Sequence, residues 1–241
     1  MPPPRQYGFP VAGNPPGAAS GGLHIGSAGS GALFAPQLST NFVALIDDHT
    51  ANPPDTQGAV GPNHLMVTLN TEVAVQTRAT SQTAPGQYLL KTSLSSFWSD
   101  LGYDSLYDPR VVYDPLADRW VTVVLANPNT TNSALLIAAS ASPDPTGNWN
   151  ELAIPVNPAP GLTNQVWADY PNLGFNGRWV VVTVNLYGVA TNSFTRAEMF
   201  ALDQDLLFTG AFSYARLSDQ YFFNLVPATT FDRGETNLYF V

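Results

Sequence analysis

Asp108–Trp120 reads DPRVVYDPLADRW, and Asp169–Trp179 reads DYPNLGFNGRW. Each sets an aspartate and a proline before a short β-prone run, then a turn, then a tryptophan that opens a longer Val/Thr-rich tract. With the starts in register, two further copies appear: DTQGAVGPNHLMVTLN from Asp55 and PATTFDRGETNLYFV from Pro227. The turns are Pro62-Asn63, Pro115 to Asp118, Asn176-Gly177 and Asp232 to Gly234, all built from residues that reverse a chain. Starts at residues 55, 108, 169 and 227 leave room in each period for four short strands and their turns.

The first period predicts strands at Thr56–Val60, His64–Leu69, Glu72–Thr77 and Tyr88–Lys91. The second predicts Arg110–Asp114, Trp120–Leu125, Ala134–Ser140 and Trp149–Ile154, and the third Pro171–Phe175, Trp179–Asn185, Ala197–Leu202 and Phe212–Leu217. Four-stranded sheets repeated at this period and packed face to face about an axis make a β-propeller. The expected fold is therefore all-β: about three blades of four antiparallel strands and the start of a fourth, an incomplete propeller. A two-sheet sandwich is the competing arrangement. In a propeller the repeated phrase is the innermost hairpin of each blade, and Trp120 and Trp179 fill the space between blades. The closing NLYFV is a strand with no turn after it, so the ring is expected to need further blades or further copies.

Residues 1–36 are rich in Pro, Gly, Ala and Ser and show neither hydrophobic period, which predicts a flexible lead-in to a β-domain over 37–241. The one helical period is TSLSSFWSDLGY, where Leu94, Phe97, Trp98 and Leu101 fall on one face behind a Thr92 or Ser93 cap. Net charge is -9 and Lys91 is the single lysine, a poor match for a phosphate backbone, so nucleic acid is excluded as a partner. Absence of cysteine removes disulfides, Cys-based zinc sites and thiol nucleophiles. The N-terminus has no basic start and apolar core of an export signal, and apolar runs such as WVVVTVNLYGV are too short for a membrane helix.

DTQGAVGPNHLMVTLN, YDPRVVYDPLADRW, SASPDPTGNW and WADYPNLGFNGRWVVVTVN, in this order, resemble a group of secreted bacterial β-propeller proteins of sialidase-like or kelch-like type. The resemblance spans about Asp55 to Val241 and implies an extracellular or cell-surface setting, although no export signal is visible. It implies no particular reaction.

In a propeller the first strands line the central channel, so Asp55, Asp108 and Asp169 are expected to converge near one mouth. An acidic ring there would hold a divalent cation such as Ca2+, or serve a bound sugar; no other cofactor is expected. The plainer reading gives each Asp a role in its own turn, accepting backbone N–H groups. Asp108 and Arg110 lie two apart, which on a regular strand turns both to one side. Arg110 would then orient a ligand carboxylate or, more simply, tie blades together through an ion pair. Trp167, Tyr170 and Tyr187 sit where a loop meets a strand, as rim platforms for a sugar face or as groove fillers.

His24, His49 and His64 match no zinc spacing, and no nucleophile elbow, P-loop or dinucleotide fingerprint occurs. The leading expectation is an extracellular binding or scaffolding module for a glycan or a protein. A glycoside hydrolase, sialidase-like or arabinanase-like, that uses channel-facing Asp residues is the competing class, and a purely structural role is the third.

Overall fold

The computed structural model describes residues 43–78, 86–157 and 165–241; the lead-in expected over 1–36 lies outside them. Among the described residues, strands form three four-stranded antiparallel sheets, each in plain sequence order. The first holds β1 (Gln57–Val60), β2 (His64–Thr68), β3 (Glu72–Thr77) and β4 (Tyr88–Ser93). The second holds β5 (Leu106–Asp114), β6 (Arg119–Ala126), β7 (Ala134–Ser140) and β8 (Trp149–Pro155). The third holds β9 (Val166–Phe175), β10 (Trp179–Gly188), β11 (Phe194–Asp203) and β12 (Tyr214–Asp219). Each of the predicted strands is present. The inner hairpins of the second and third sheets reach further back than the β-prone runs suggest.

Burial decides between blades and a sandwich. In a sandwich each sheet packs one face, whereas a blade between two others packs both. β7, ALLIAAS, is buried at every residue. On one side Met66, Val73 and Val75 of the first sheet, with Trp98 from the helical segment that follows it, meet Trp120, Val124 and Leu136. On the other, Val121, Val123, Leu135 and Ile137 meet Val180, Val182, Val184 and Phe200 of the third. The first strands β1, β5 and β9 lie against one another in succession. The chain is an all-β protein whose three sheets are arranged as consecutive propeller blades.

A fourth hairpin begins after them. Val226 and Val241 exchange backbone N–H to O bonds of 2.9 and 3.1 Å, and Ala228 N–H donates to Tyr239 O at 2.9 Å. The amphipathic segment forms α1 (Leu94–Phe97), capped by Ser93 and followed by a 3-10 turn, Ser99–Leu101, that ends at Gly102 with φ 68°. A second helix, α2 (Gln204–Thr209), was not anticipated. Its signals are plain in retrospect: Asp203 accepts from Leu206 N–H at its start, and Gly210, φ 78°, closes it.

Trp120 fills an inter-blade space, fully buried, with its Nε1–H donating to Pro143 O at 3.0 Å. Trp179 does not share that place. The turn after Asp114 is longer than the one after Asn176, so Trp120 pairs with Tyr113 while Val180, not Trp179, pairs with Phe175. Trp179 is half-buried with the Arg178 guanidinium 4.8 Å from its ring centre.

Candidate functional site

Each inner strand carries the same irregularity. Tyr107 pairs with Leu125 and Arg110 with Val123, so Asp108 and Pro109 together face Val124. Asp169 pairs with Asn185 and Asn172 with Thr183, so Tyr170 and Pro171 face Val184. In the first blade Asn70 N–H donates to Pro54 O and Gln57 pairs with Thr68, which leaves Asp55 and Thr56 against Leu69. These are β-bulges, and their first residues have left-handed backbone: Asp55 (φ 47°), Asp108 (φ 54°) and Tyr170 (φ 55°), with Asn224 (φ 56°) entering the fourth hairpin. Asp and Asn adopt that region more readily than other residues with a Cβ.

The bulge corrects two expectations. The counterpart of Asp108 is Tyr170, and Asp169 matches Tyr107 one step earlier. The regular alternation that would put Asp108 and Arg110 on one side is also broken between them.

The bulges serve to join blades. Asp108 N–H donates to Asn70 Oδ1 of the first blade at 2.7 Å. Tyr170 N–H donates to Asp108 Oδ2 of the second at 3.2 Å, and Asn224 N–H to Asn185 Oδ1 of the third at 3.1 Å. The carbonyl after the last two bulge residues is used likewise: Arg110 Nε–H donates to Pro171 O at 2.8 Å, and Thr183 Oγ1–H to Leu225 O at 2.5 Å. Asp108 thus accepts a backbone N–H as the turn reading required, but from the next blade and not from its own turn. Arg110 ties blades through a carbonyl; among the described residues it makes no ion pair. Asn70 completes the first joint by donating Nδ2–H to Pro53 O at 2.9 Å and to Asp55 Oδ2 at 2.8 Å.

The three acids do converge. Burial pushes the Asp108 carboxyl up to about 7, reinforced by a hydrogen bond with Asp55 and by the charges of Asp55 and Asp169. Asp169 is raised by burial, while hydrogen bonds from Tyr170 N–H and with Asp108 pull it back. The Tyr107 hydroxyl, which donates to Ala168 O, is raised far above its ordinary range, first by burial and then by Asp169. Near neutral pH the centre can hold and release a proton. Among the described residues, no group of three or more His, Cys, Asp or Glu side chains is placed to hold a metal ion.

Beside the acids, Gln57, Arg110, Tyr170, Asn172 and Val226 help line a cleft of 280 Å³. The side chains at Gln57, Arg110 and Asn172 occupy matching register positions in three successive blades. Tyr170 is 46% exposed, and the Arg110 guanidinium carbon lies 5.5 Å from its ring centre. Trp167 is the opposite case. It is buried, with its ring stacked on Tyr187 at 5.3 Å, so it fills a groove and offers no platform. Sequence reasoning missed Asn70 and Asn185, although VTLN at Val67–Asn70 and VTVN at Val182–Asn185 repeat at matching places.

Fold and site define a β-propeller unit whose first strands carry an acidic cluster and a Tyr/Arg shelf. The chain matches no protein family and no curated protein. Among solved structures it is similar to GH43 endo-arabinanase from Bacillus licheniformis, at 13% identity and a TM-score of 0.41, over 81% of this chain and 65% of that one. The chain thus spans just under two thirds of the length of that protein.

Proposed function

We propose that this chain is an extracellular binding module that takes a glycan at the axial mouth of its blades. The observation that carries this reading is the fixed, half-exposed Tyr170 beside Arg110, Gln57 and Asn172 in one cleft. A sugar presents an apolar ring face and a rim of hydroxyls. Tyr170 offers the matching aromatic face, and the three polar side chains offer donors and acceptors. The hydrogen bond between Tyr170 N–H and Asp108 sets the backbone of the shelf before a ligand arrives, which lowers the ordering entropy lost on binding.

A glycoside hydrolase is the second reading, favoured by Asp108, an acid raised to about 7 beside other carboxylates. Against it, Asp108 is within hydrogen-bonding reach of both Asp55 and Asp169. Carboxylates that act on a glycosidic bond stand about 5 Å or more apart, with the sugar between them. Glycan-array binding of the whole chain, compared with Tyr170→Ala and Asp108→Asn, tests the proposal. Binding lost in Tyr170→Ala with thermal stability retained supports it. Binding to no glycan overturns it, and release of reducing sugar from a polysaccharide panel moves the assignment to the hydrolase.

A further inference from the structure

A larger cleft of 640 Å³ lies at the outer edge of the first two blades, among β4, α1 with its 3-10 turn, and the start of β8. Leu90, Phe97, Leu101 and Trp149 give it apolar and aromatic walls, and Asp100 and Glu151 are its titratable side chains. Trp149 is held by its Nε1–H donating to Pro145 O at 3.1 Å, with the Phe97 ring edge-on at 5.4 Å. No cation lines the cleft among the described residues. Lys91, the neighbour of Leu90 and Thr92 on β4, alternates to the other side and pairs with Glu72 at 3.3 Å.

The glutamate here is electrostatically unsatisfied. Burial, then the charge of Asp100, pushes Glu151 up to about 7. An incoming positive charge would relieve both effects, whereas a neutral sugar would leave them in place.

We propose that this cleft binds an organic cation, an alkyl ammonium or guanidinium group that sits between Asp100 and Glu151 with its alkyl stem against Phe97 and Trp149. Carboxylates give such a group charge-assisted hydrogen bonds, and aromatic walls add cation–π attraction. A bare metal ion would gain nothing from those walls. The two sources of this chemistry are a free amine and a Lys or Arg side chain presented by a polypeptide. The site is separate from the axial mouth and does not depend on the glycan reading.

Calorimetric titration of the whole chain with agmatine, and separately with the peptide acetyl-Ala-Lys-Ala-amide, tests this at pH 8.5 and pH 5.5. Binding is expected to weaken about tenfold at the lower pH, where a proton competes for Glu151. Glu151→Gln should weaken binding about tenfold at pH 8.5 and abolish the pH dependence; the exposed Asp100→Asn, which threatens folding least, should weaken it about threefold. Tyr170→Ala should change nothing. Binding of agmatine points to a free amine, and binding of the peptide alone to a presented side chain. Binding of neither probe, unchanged affinity in both carboxylate variants, or displacement of bound agmatine by calcium would overturn the proposal.

Discussion

The two ends of β5 carry the same dipeptide, Asp108-Pro109 and Asp114-Pro115, and they do opposite things. Asp114 is fully buried and surrounded by donors: Leu116 N–H at 2.7 Å, Ala117 N–H at 3.4 Å and Gln204 Nε2–H at 2.6 Å. Gln204 reaches it from α2 of the third blade, so this acid is an inter-blade clasp. Asp108 has one backbone donor and two other carboxylates for company. Burial raises both pKa values. Only at Asp108 do neighbouring acids raise it further. The dipeptide marks a place where the chain departs from regular strand, and the neighbouring blade decides whether that place is structural or proton-active.

The sharpest way to break this contrast is Asp114→Ala. It leaves two part-buried backbone N–H groups and one N–H of the buried Gln204 amide without their acceptor, and a loss of about 2–4 kcal/mol is expected. Chemical denaturation measures it, and a loss below about 0.5 kcal/mol would remove the clasp. Asn70→Ala comes next. It deprives Asp108 N–H and Asp55 of their partner, for an expected loss of about 1–2 kcal/mol by the same method.

The third test is pH. Asp108 and Glu151 are raised to about 7, and Asp114 and Asp169 are raised as well, so the folded chain holds protons that the unfolded chain has released. Their contribution is therefore whole below about pH 4 and is lost as pH climbs through 7. Melting temperature should fall across that window, and Asp108→Asn should flatten the fall by roughly 2–4 °C, the shift that about 1 kcal/mol gives at this size. An unchanged slope in that variant would place the proton elsewhere. Arg110→Ala should have the smallest effect, about 0.5–1 kcal/mol, since Pro171 O loses one donor near solvent.

Much of the architecture was legible because short β-prone apolar runs and the turn residues between them are local signals. Trp149–Ile154 and Ala134–Ser140 could be placed without any neighbour. What the text concealed was phase. The bulge begins at Asp108 in the second blade but at Tyr170 in the third, so lining up Asp108 with Asp169 by residue type put the comparison one step out. Lining up Pro109 with Pro171 would have matched Asp108 to Tyr170. Convergence of the acids was foreseen because it follows from first strands sharing an axis, which one residue of slippage does not destroy. Their partners were not foreseen. Asn70 and Asn185 act across a boundary between blades, and no spacing within one blade reports which amide a neighbour needs. Trp167 turned out to be the groove filler of its two readings, because its ring is covered by Tyr187 on the adjacent strand of its own blade.

The joints made at the bulges run one way. Asn70, Asp108 and Asn185 each reach forward to the backbone of the blade that comes later in the chain. A ribosome releases these blades in that same order. Every new blade therefore emerges opposite a predecessor that already displays the acceptor its kinked inner strand requires, and the domain can grow by templated addition without waiting for its far end.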